Sequence, residues 1–372
     1  MTFPSFPTHV DVPLDDDAYT IWLDPTDDKI GEILSRTIGP TAGQAALIWD
    51  ENVAKLREPL QTQLQRAGLD VTAIEIPSGE TSKSMDQLAR CYDQLAAAKM
   101  DRGSLVIALG GGVVGDLSGF VAASYLRGVD FVQCPTTLLA AVDSSVGGKT
   151  GINLTAGKNL VGAFHQPRTV IVRFAAFDTL PPREWAAGLA EVVKYGVILD
   201  SDFFAFLEQN IAAINSRQHD AIGHVVARSC RLKSDIVCED QFETTGRRAI
   251  LNYGHTFAHA YEKLLGYGEL LHGEAVAIGM VHASRLAERV GRIDAETTRR
   301  QVELLSAFDL PTRLPKPLDV DAVVDAMRSD KKVAAGQLRF ILPRRLGHVE
   351  LLDDVPFEAV ARTLAEAMRE AA

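Results

Sequence analysis

The sequence predicts an α/β N-terminal domain with a mainly parallel sheet and a glycine-rich loop, followed by a mainly α-helical C-terminal domain. In the first half, short apolar runs alternate with helical patterns, and the runs are continuously apolar, as in parallel strands buried on both faces. From Pro181 onward, helical periodicity dominates and there is almost no strand signal. Because Pro181 and Pro182 interrupt the chain, we predict domains at 1–180 and 181–372.

The elements follow in order from these patterns. Five apolar runs are predicted strands, at 19–23, 45–49, 71–76, 104–109 and 131–134. A glycine run ends the fourth of them and a proline the fifth. Helical spacing predicts first-half helices at 53–60 and 86–97, and later ones at 203–214, 219–239, 255–265 and 273–290. A late hairpin at 338–342 and 348–352 precedes an amphipathic closing helix at 357–368.

Composition narrows the class of protein. The 372 residues include 49 acidic and 38 basic side chains, for a net charge of -11, with 47% hydrophobic and 23% charged residues. These proportions are typical of globular proteins and unlike those of disordered or collagen-like chains. The acidic balance argues against general binding to nucleic acid or to an anionic membrane. It leaves room for a basic pocket that binds a small anion.

Cysteine use and the N-terminal sequence predict a cytoplasmic protein. The four cysteines have no C-x-x-C spacing, so a thiolate zinc site and a disulfide scaffold are both disfavoured, and we expect reduced thiols. Residues 1–17 contain no basic side chain and no apolar core, unlike a signal peptide. No uncharged apolar stretch reaches the roughly 18 residues of a membrane span.

A glycine-rich loop follows the predicted strand at 104–109. Gly110, Gly112 and Gly115 fit G-x-G-x-x-G between a strand and a helix. Such a loop lets the backbone approach a pyrophosphate at a helix N-terminus, so a dinucleotide is one interpretation and tight packing is the other. The acidic ribose anchor expected at the end of the next strand is missing, because Asp130 begins that strand. A dinucleotide would therefore bind in a non-standard Rossmann arrangement.

Histidines and a carboxylate form a second group. His255 and His259 are four residues apart and can share a helix face, and His272 follows soon after. Glu191 shares a face with Lys194 on a helix whose other residues are apolar. Imidazole and carboxylate together suit zinc or a similar divalent ion. The alternative interpretation is ordinary packing histidines and a surface ion pair.

Basic residues cluster around small polar segments. Residues 143–153 resemble an anion-binding loop that contains Lys149, and Lys158 and Asn159 fall in a second polar loop. A P-loop is excluded because Asp143 occupies the position that needs its first glycine. Further basic or amide candidates are Lys233, Arg247, Arg248, Asn252, Lys331 and Lys332. Each alone is typical of a solvated charge, but together they favour a small, doubly anionic substrate.

These segments together resemble the 3-dehydroquinate synthase family of the sugar-phosphate cyclases. The resemblance covers about residues 77–332, and its motifs occur in the family's order. The matching stretches are 110–116, 119–128, 135–140, 142–149, 157–159, 188–196, 251–259, 272–274 and 330–332. It implies an NAD-binding α/β domain, a mainly helical metal- and substrate-binding domain, an active site between them, and a homodimer.

The resemblance also implies roles for individual residues. Glu191, His255 and His272 would bind a divalent metal, zinc or cobalt, and His259 would contact the substrate phosphate. The implied NAD contacts are Asp50, Glu80, Lys83, Gly111, Gly112, Asp116, Thr136, Thr137, Lys158 and Thr179. The implied substrate contacts are Asp143, Lys149, Asn159, Lys194, Lys233, Arg248, Asn252 and Lys332. Arg127 would reach a substrate phosphate across the dimer.

The reaction implied by the resemblance is the conversion of 3-deoxy-D-arabino-heptulosonate 7-phosphate to 3-dehydroquinate and phosphate, in the shikimate pathway of aromatic amino acid biosynthesis. It would proceed by oxidation with NAD, phosphate elimination, reduction, ring opening and an intramolecular aldol closure, so NAD is recycled. Within the resemblance, Lys233 and Arg248 would bind the substrate carboxylate.

Three alternatives remain open. Another sugar-phosphate cyclase, such as a 2-epi-5-epi-valiolone synthase, would share the metal and NAD motifs and act on a substrate without a carboxylate. A metal-dependent polyol dehydrogenase would share the loop and the histidines and release NADH. A non-catalytic protein of the same fold would be expected to lose a metal ligand or a lysine, and no such loss occurs here.

Overall fold

The described residues of the first half of the chain form nine strands and four α-helices, with short 3-10 and π segments between them. The computed structural model describes residues 5–37, 43–266, 268–329 and 338–371. The strands are β1 (His9–Val12), β2 (Tyr19–Leu23), β3 (Gln44–Asp50), β4 (Asp70–Ile76), β5 (Leu105–Gly110), β6 (Asp130–Pro135), β7 (Lys149–Leu154), β8 (Gly157–Phe164) and β9 (Thr169–Val172). The helices are α1 (Asp27–Thr37), α2 (Ala54–Arg66), α3 (Met85–Ala97) and α4 (Gly112–Ser124).

Seven of these strands form one sheet, in the order β1-β2-β9-β6-β5-β3-β4. Only the β1–β2 pair is antiparallel, and all other neighbours are parallel. The chain leaves β3 towards β4 on one side and leaves β5 towards β6 on the other. In such sheets a crevice opens at the carboxyl ends of the two strands where the order reverses, and ligands bind there. Here that point lies between β3 and β5.

Both faces of the sheet are covered, which explains the continuously apolar strands. In β3, Ala46 and Ile48 belong to one core cluster, which includes Cys91 of α3. Their neighbour Leu47 belongs to the cluster on the opposite face, together with Cys134 of β6. A strand buried on both sides loses the usual alternation of polar and apolar residues. The predicted α/β fold class is confirmed for this half.

The polar loops predicted around Lys149 and Lys158 are wrong as local structure. These residues lie in an antiparallel hairpin formed by β7 and β8, after a π-helical turn at Ala140–Ser144. Gly151 and Gly162 face the partner strand so closely that an added Cβ at Gly162 would lie 2.0 Å from a backbone oxygen. The strands need these glycines for the close approach, and the same glycines make the segment resemble a loop in composition.

The remaining chain is mainly helical. Its helices are α5 (Pro182–Ile198), α6 (Ser201–Gln209), α7 (Ile211–Asn215), α8 (His219–Glu239), α9 (His255–Leu265), α10 (His272–Arg289), α11 (Ala295–Ala307), α12 (Val320–Ser329) and α13 (Phe357–Ala371). Strands β10 (Phe340–Arg345) and β11 (His348–Leu352) form the predicted late hairpin. The single helix predicted at 203–214 is divided at Asn210, whose side chain donates to the Phe206 carbonyl.

Two compact units divide the chain. The first unit comprises Met1–Leu180 and Ile222–Phe242, and the second comprises Pro181–Ala221 and Glu243–Ala372. Most of α8 therefore belongs to the first unit. Across the part of the chain that the structure describes, no helix combines the length and the apolar character that crossing a bilayer requires.

Glycine permits two close helix contacts in the second unit. Gly273 of α10 lies against α5, where an added Cβ would be 1.9 Å from the Ala187 carbonyl oxygen. Gly254, at φ +79°, precedes α9, and an added Cβ there would be 2.8 Å from the Met280 backbone nitrogen of α10. These contacts set the spacing of the three helices that carry the histidines and Glu191.

We expect Gly273→Ala to destabilise the protein by about 1–3 kcal/mol, because a backbone carbonyl cannot move aside as a side chain can. The measurement is the free energy of unfolding from urea titration. Gly31→Ala is the control, since Gly31 lies in α1 with no atom within 4 Å of an added Cβ. Equal stability of the Gly273→Ala variant and the wild type would contradict the tight α5–α10 contact.

Candidate active site

The first unit gathers candidate dinucleotide residues at the carboxyl ends of β3 and β5. Asp50 ends β3, and its carboxylate accepts from the Asn52 backbone N–H at 2.9 Å. A Cβ added to Gly110, at the end of β5, would lie 3.1 Å from the Asp50 carboxylate. Burial raises the pKa of Asp50, and the Asn52 hydrogen bond opposes that shift. The carboxylate thus stands beside the glycine loop, where the strand order reverses.

The glycines of the loop pack closely against neighbouring side chains. A Cβ on Gly111 would lie 3.2 Å from the Thr137 methyl group, and one on Gly112 would lie 3.1 Å from the Ser144 hydroxyl. The Thr136 backbone N–H donates to the Gly110 carbonyl at 2.9 Å. Because α4 begins at Gly112, its first N–H groups are directed at this loop. The arrangement suits the phosphates of a dinucleotide.

Lys83 ties three candidate residues together. Its side chain is only 5% exposed, and its Nζ lies 2.6 Å from Asp116 Oδ2 and 2.6 Å from Asn159 Oδ1. Glu80 Oε1 is 3.9 Å from the same ammonium and accepts from the Asn153 side-chain amide at 2.7 Å. A buried ammonium needs such partners. The cluster attaches the β7–β8 hairpin to the first turns of α4.

Lys233 and Asp143 form a separate pair in the first unit. The Lys233 ammonium donates to the Asp143 carbonyl at 2.6 Å and lies 2.7 Å from its carboxylate. The lysine comes from α8 and the aspartate from the π-helical turn. The sequence grouped both with the substrate, and the structure places them in direct contact.

Other candidates of the first unit lie outside these clusters. Thr179 donates to the Ala176 carbonyl at 3.2 Å, within a 3-10 turn. Lys149 is exposed at the start of β7, and Lys158 is half-buried in β8. Arg127 is exposed at φ +75°, in a turn where Leu126 also has a positive φ. Strain of this kind is often found at functional sites.

The second unit brings the three predicted metal ligands together. Glu191 lies in α5, His255 begins α9 and His272 begins α10. Each offers one ligand atom, and these atoms all lie within 4.8 Å of one another. Glu191 Oε1 is 3.7 Å from His255 Nε2 and 3.9 Å from His272 Nε2. One carboxylate and two imidazoles are a donor set that suits Zn²⁺ or Co²⁺ and leaves a coordination position for a substrate oxygen.

The surroundings of the Glu191 carboxylate suit a bound cation. Its side chain is 1% exposed, and among the described residues neither of its oxygens has a hydrogen-bond partner. The ammonium of Lys194, one turn along α5, is in ion-pair contact with it. A buried carboxylate is costly even beside an ammonium, and a divalent ion held by Glu191, His255 and His272 would offset that cost.

Other predicted substrate residues lie in the same unit as the triad. The rings of His255 and His259 are 5.5 Å apart between centroids. Arg248 is buried, and its Nε lies 3.7 Å from Glu243 Oε1. Asn252 ends the same 3-10 segment, Arg247–Asn252. Lys332 lies outside the described residues.

Several contacts that hold the triad escaped the sequence analysis. Arg183 binds the Glu274 carboxylate with two hydrogen bonds, at 2.6 and 2.7 Å, and Glu274 accepts from the Leu271 backbone N–H at 2.8 Å. These bonds fix the start of α10 immediately beside His272. The position of Glu274, three residues after the N-cap Leu271, is the local signal for such a cap, whereas the arginine is 91 residues away.

A buried pair connects α9 to α10. Tyr261 Oη and His282 Nδ1 lie 2.6 Å apart. Burial, aided by Arg285, lowers the pKa of His282 to about 3, so the ring is neutral at ordinary pH. The pair orients the two helices whose first residues are the histidine ligands.

Comparison with known proteins identifies the family. Residues 73–187 match the 3-dehydroquinate synthase N-terminal family and residues 188–333 the 3-dehydroquinate synthase C-terminal family. The chain is 49% identical to the 3-dehydroquinate synthase of Desulforamulus reducens, over 91% of this chain and 94% of that protein.

Solved structures agree with this match. A 2-epi-5-epi-valiolone synthase from Streptomyces hygroscopicus, with NAD⁺ and Zn²⁺ bound, has a TM-score of 0.85 at 26% identity and covers 96% of this chain and 99% of its own. A 2-deoxy-scyllo-inosose synthase with carbaglucose-6-phosphate, NAD⁺ and Co²⁺ has a TM-score of 0.84 at 25% identity, covering 97% and 100%. With two matched domains and high identity over nearly its whole length, this chain belongs to the 3-dehydroquinate synthase family.

Proposed function

We propose that this chain is a phosphate-eliminating carbon–oxygen lyase that converts 3-deoxy-D-arabino-heptulosonate 7-phosphate into 3-dehydroquinate and phosphate. The observation that carries the proposal is the buried Glu191 carboxylate facing two imidazoles, in a chain of this family. The proposal includes residues 1–180 as the NAD-binding domain and 181–372 as the domain that binds metal and substrate. It also includes a cytoplasmic homodimer in which Arg127 reaches the substrate phosphate of the partner subunit.

Glu191, His255 and His272 would hold a divalent ion, zinc or cobalt. When bound, that ion would supply Lewis-acid polarisation of a substrate hydroxyl. Lys194 touches Glu191 and is 2% exposed, so it would add a positive charge next to the reacting oxygen. His259, whose ring adjoins that of His255, would donate to the substrate phosphate.

NAD would lie along the glycine loop and Asp50. When bound, it would supply the oxidation and later the matching reduction, so that NAD is regenerated at the end of the reaction. Lys83 would hold Asp116 and Asn159 in place around it through its two 2.6 Å contacts. Asp143 would orient Lys233 towards a substrate oxygen, since the pair is already in contact.

Arg248 favours a substrate with a carboxylate over a heptulose phosphate that lacks one. Its guanidinium is buried and lies 3.7 Å from the Glu243 carboxylate through Nε. A guanidinium also matches a carboxylate with two parallel hydrogen bonds, which an ammonium cannot do. The higher identity to the named 3-dehydroquinate synthase than to the valiolone synthase supports the same choice.

The test is phosphate release by the purified protein with NAD and Zn²⁺ or Co²⁺. Two substrates are compared, 3-deoxy-D-arabino-heptulosonate 7-phosphate and sedoheptulose 7-phosphate, while NADH absorbance is followed. We expect rapid release from the acid substrate without net NADH. Release only from the heptulose would keep the fold and overturn the assigned carboxylate site. NADH accumulation without phosphate would instead indicate a polyol dehydrogenase.

A further inference from the structure

The two histidines of the metal site each have an oxygen acceptor behind them. His255 Nδ1 lies 3.1 Å from the Tyr253 carbonyl oxygen, and His272 Nδ1 lies 3.6 Å from Glu262 Oε1. In both rings the other nitrogen, Nε2, is directed at Glu191. A neutral imidazole that donates from Nδ1 keeps its Nε2 lone pair for a metal. At 3.1 Å the Tyr253 carbonyl favours this tautomer for His255, and the Glu262 carboxylate faces the corresponding nitrogen of His272 at 3.6 Å.

The two acceptors differ in kind: one is the backbone carbonyl of Tyr253 and the other is the side-chain carboxylate of Glu262. The Tyr253 carbonyl is fixed because the same residue is buried and its hydroxyl donates to the Met280 carbonyl or Gln301 amide oxygen, at 3.1 and 2.8 Å. His255 itself is 10% exposed. His272 is 36% exposed and begins its helix. It is the more exposed of the two ligands, and its Nδ1 faces a side-chain oxygen instead of a backbone carbonyl.

We propose that Glu262 is a positioning residue that holds His272 in its metal-binding tautomer and so sets the affinity for a divalent cation of the Zn²⁺ class. The proposal rests on the metal site assigned above. Glu262 is 7% exposed and lies on α9, two turns after His255, so one helix supplies both a ligand and the acceptor for another ligand. A shift of about 0.5 Å in either side chain would give an ordinary hydrogen bond.

Glutamine at position 262 would test the charge and the tautomer without changing size. Its amide can present N–H to His272 Nδ1, which favours the proton on Nε2, where it blocks the metal. It also removes the negative charge that makes the imidazole a stronger ligand. Partners of this kind typically change metal affinity by roughly 10- to 100-fold.

The experiment measures the Zn²⁺ dissociation constant by competition with a chromophoric chelator, for wild type, Glu262→Gln and Glu208→Gln. Glu208 is the matched control because it is a part-buried glutamate of the same unit, paired with Arg300 at 2.6 and 2.9 Å. We expect Glu262→Gln to weaken Zn²⁺ binding roughly 10- to 100-fold, Glu208→Gln to bind as wild type, and turnover of Glu262→Gln to recover largely at saturating Zn²⁺. Thermal unfolding without metal checks that both variants remain folded.

An affinity of Glu262→Gln within twofold of wild type would overturn the proposal. Histidine ¹⁵N spectra of the Zn²⁺-loaded wild type give a second test that needs no variant, because they distinguish the two ring nitrogens. We expect Nδ1–H with Nε2 bound at His272; the opposite assignment would overturn the role of Glu262. If His272→Ala binds Zn²⁺ as tightly as wild type, the metal site itself is misassigned, which is a different failure from an unaltered Glu262→Gln.

Discussion

Replacing His272 with alanine is expected to remove the bound metal and lower turnover on the order of 1,000-fold or more. The expected loss equals several kcal/mol of charge stabilisation, with each 1.4 kcal/mol worth about a tenfold change in rate. His272 is one of three groups whose ligand atoms lie within 4.8 Å of one another, so its loss leaves two. The measurements are metal content per chain after dialysis and the rate of phosphate release.

Two histidine variants make this result specific. His348→Ala is the control, because His348 is half-exposed on β11 and faces Glu350 at 3.8 Å. It should retain both metal and turnover. His259→Ala should retain metal and lose turnover, since the resemblance gives it a phosphate contact and no ligand role. An unchanged metal content in His272→Ala would show that the ligand set is wrong.

Changing Arg248 to lysine is expected to raise KM for the acid substrate roughly 10- to 100-fold, with a smaller change in kcat. Charge-assisted hydrogen bonds are typically worth about 1.5–3 kcal/mol, and lysine can replace only one of two. Arg248 is 2% exposed, so water cannot substitute for the lost bond. Steady-state phosphate release gives both constants.

Arg247→Lys is the matched control, because it makes the same change at the adjacent exposed position. Its KM should stay close to that of the wild type. If Arg248→Lys also left KM unchanged, the substrate carboxylate would bind elsewhere, and Lys233 would be the next candidate to test.

The sequence predicts those features that leave a local periodic signal. The strand ending at Gly110 is marked by a continuous apolar run, and the helix beginning near His255 has apolar residues at helical spacing. Four-residue spacing also places His255 and His259 on one helix. The β7–β8 hairpin left no such signal, because glycines required for close strand contact disguise it as a loop.

Contacts between distant residues could not be predicted in the same way. Lys83 meets Asn159 across 76 residues, and Arg183 meets Glu274 across 91. Nothing in the local pattern of either partner indicates the other, since the contact exists only after the elements pack. The acceptor role of Glu262 belongs to this class: a glutamate on a helix is ordinarily a solvated charge.

The buried cysteines have a practical consequence for experiments on this protein. Burial raises the pKa of Cys91 to about 11 and that of Cys134 and Cys230 to about 12. The thiolate is the nucleophile that attacks an alkylating reagent, so at neutral pH these three buried thiols react only when their surroundings open. All three lie in the first unit, whereas the metal triad lies in the second. The rate at which these thiols are alkylated therefore reports how often the first unit opens. A substitution in the metal triad can be checked in this way for damage to the first unit, without any added label.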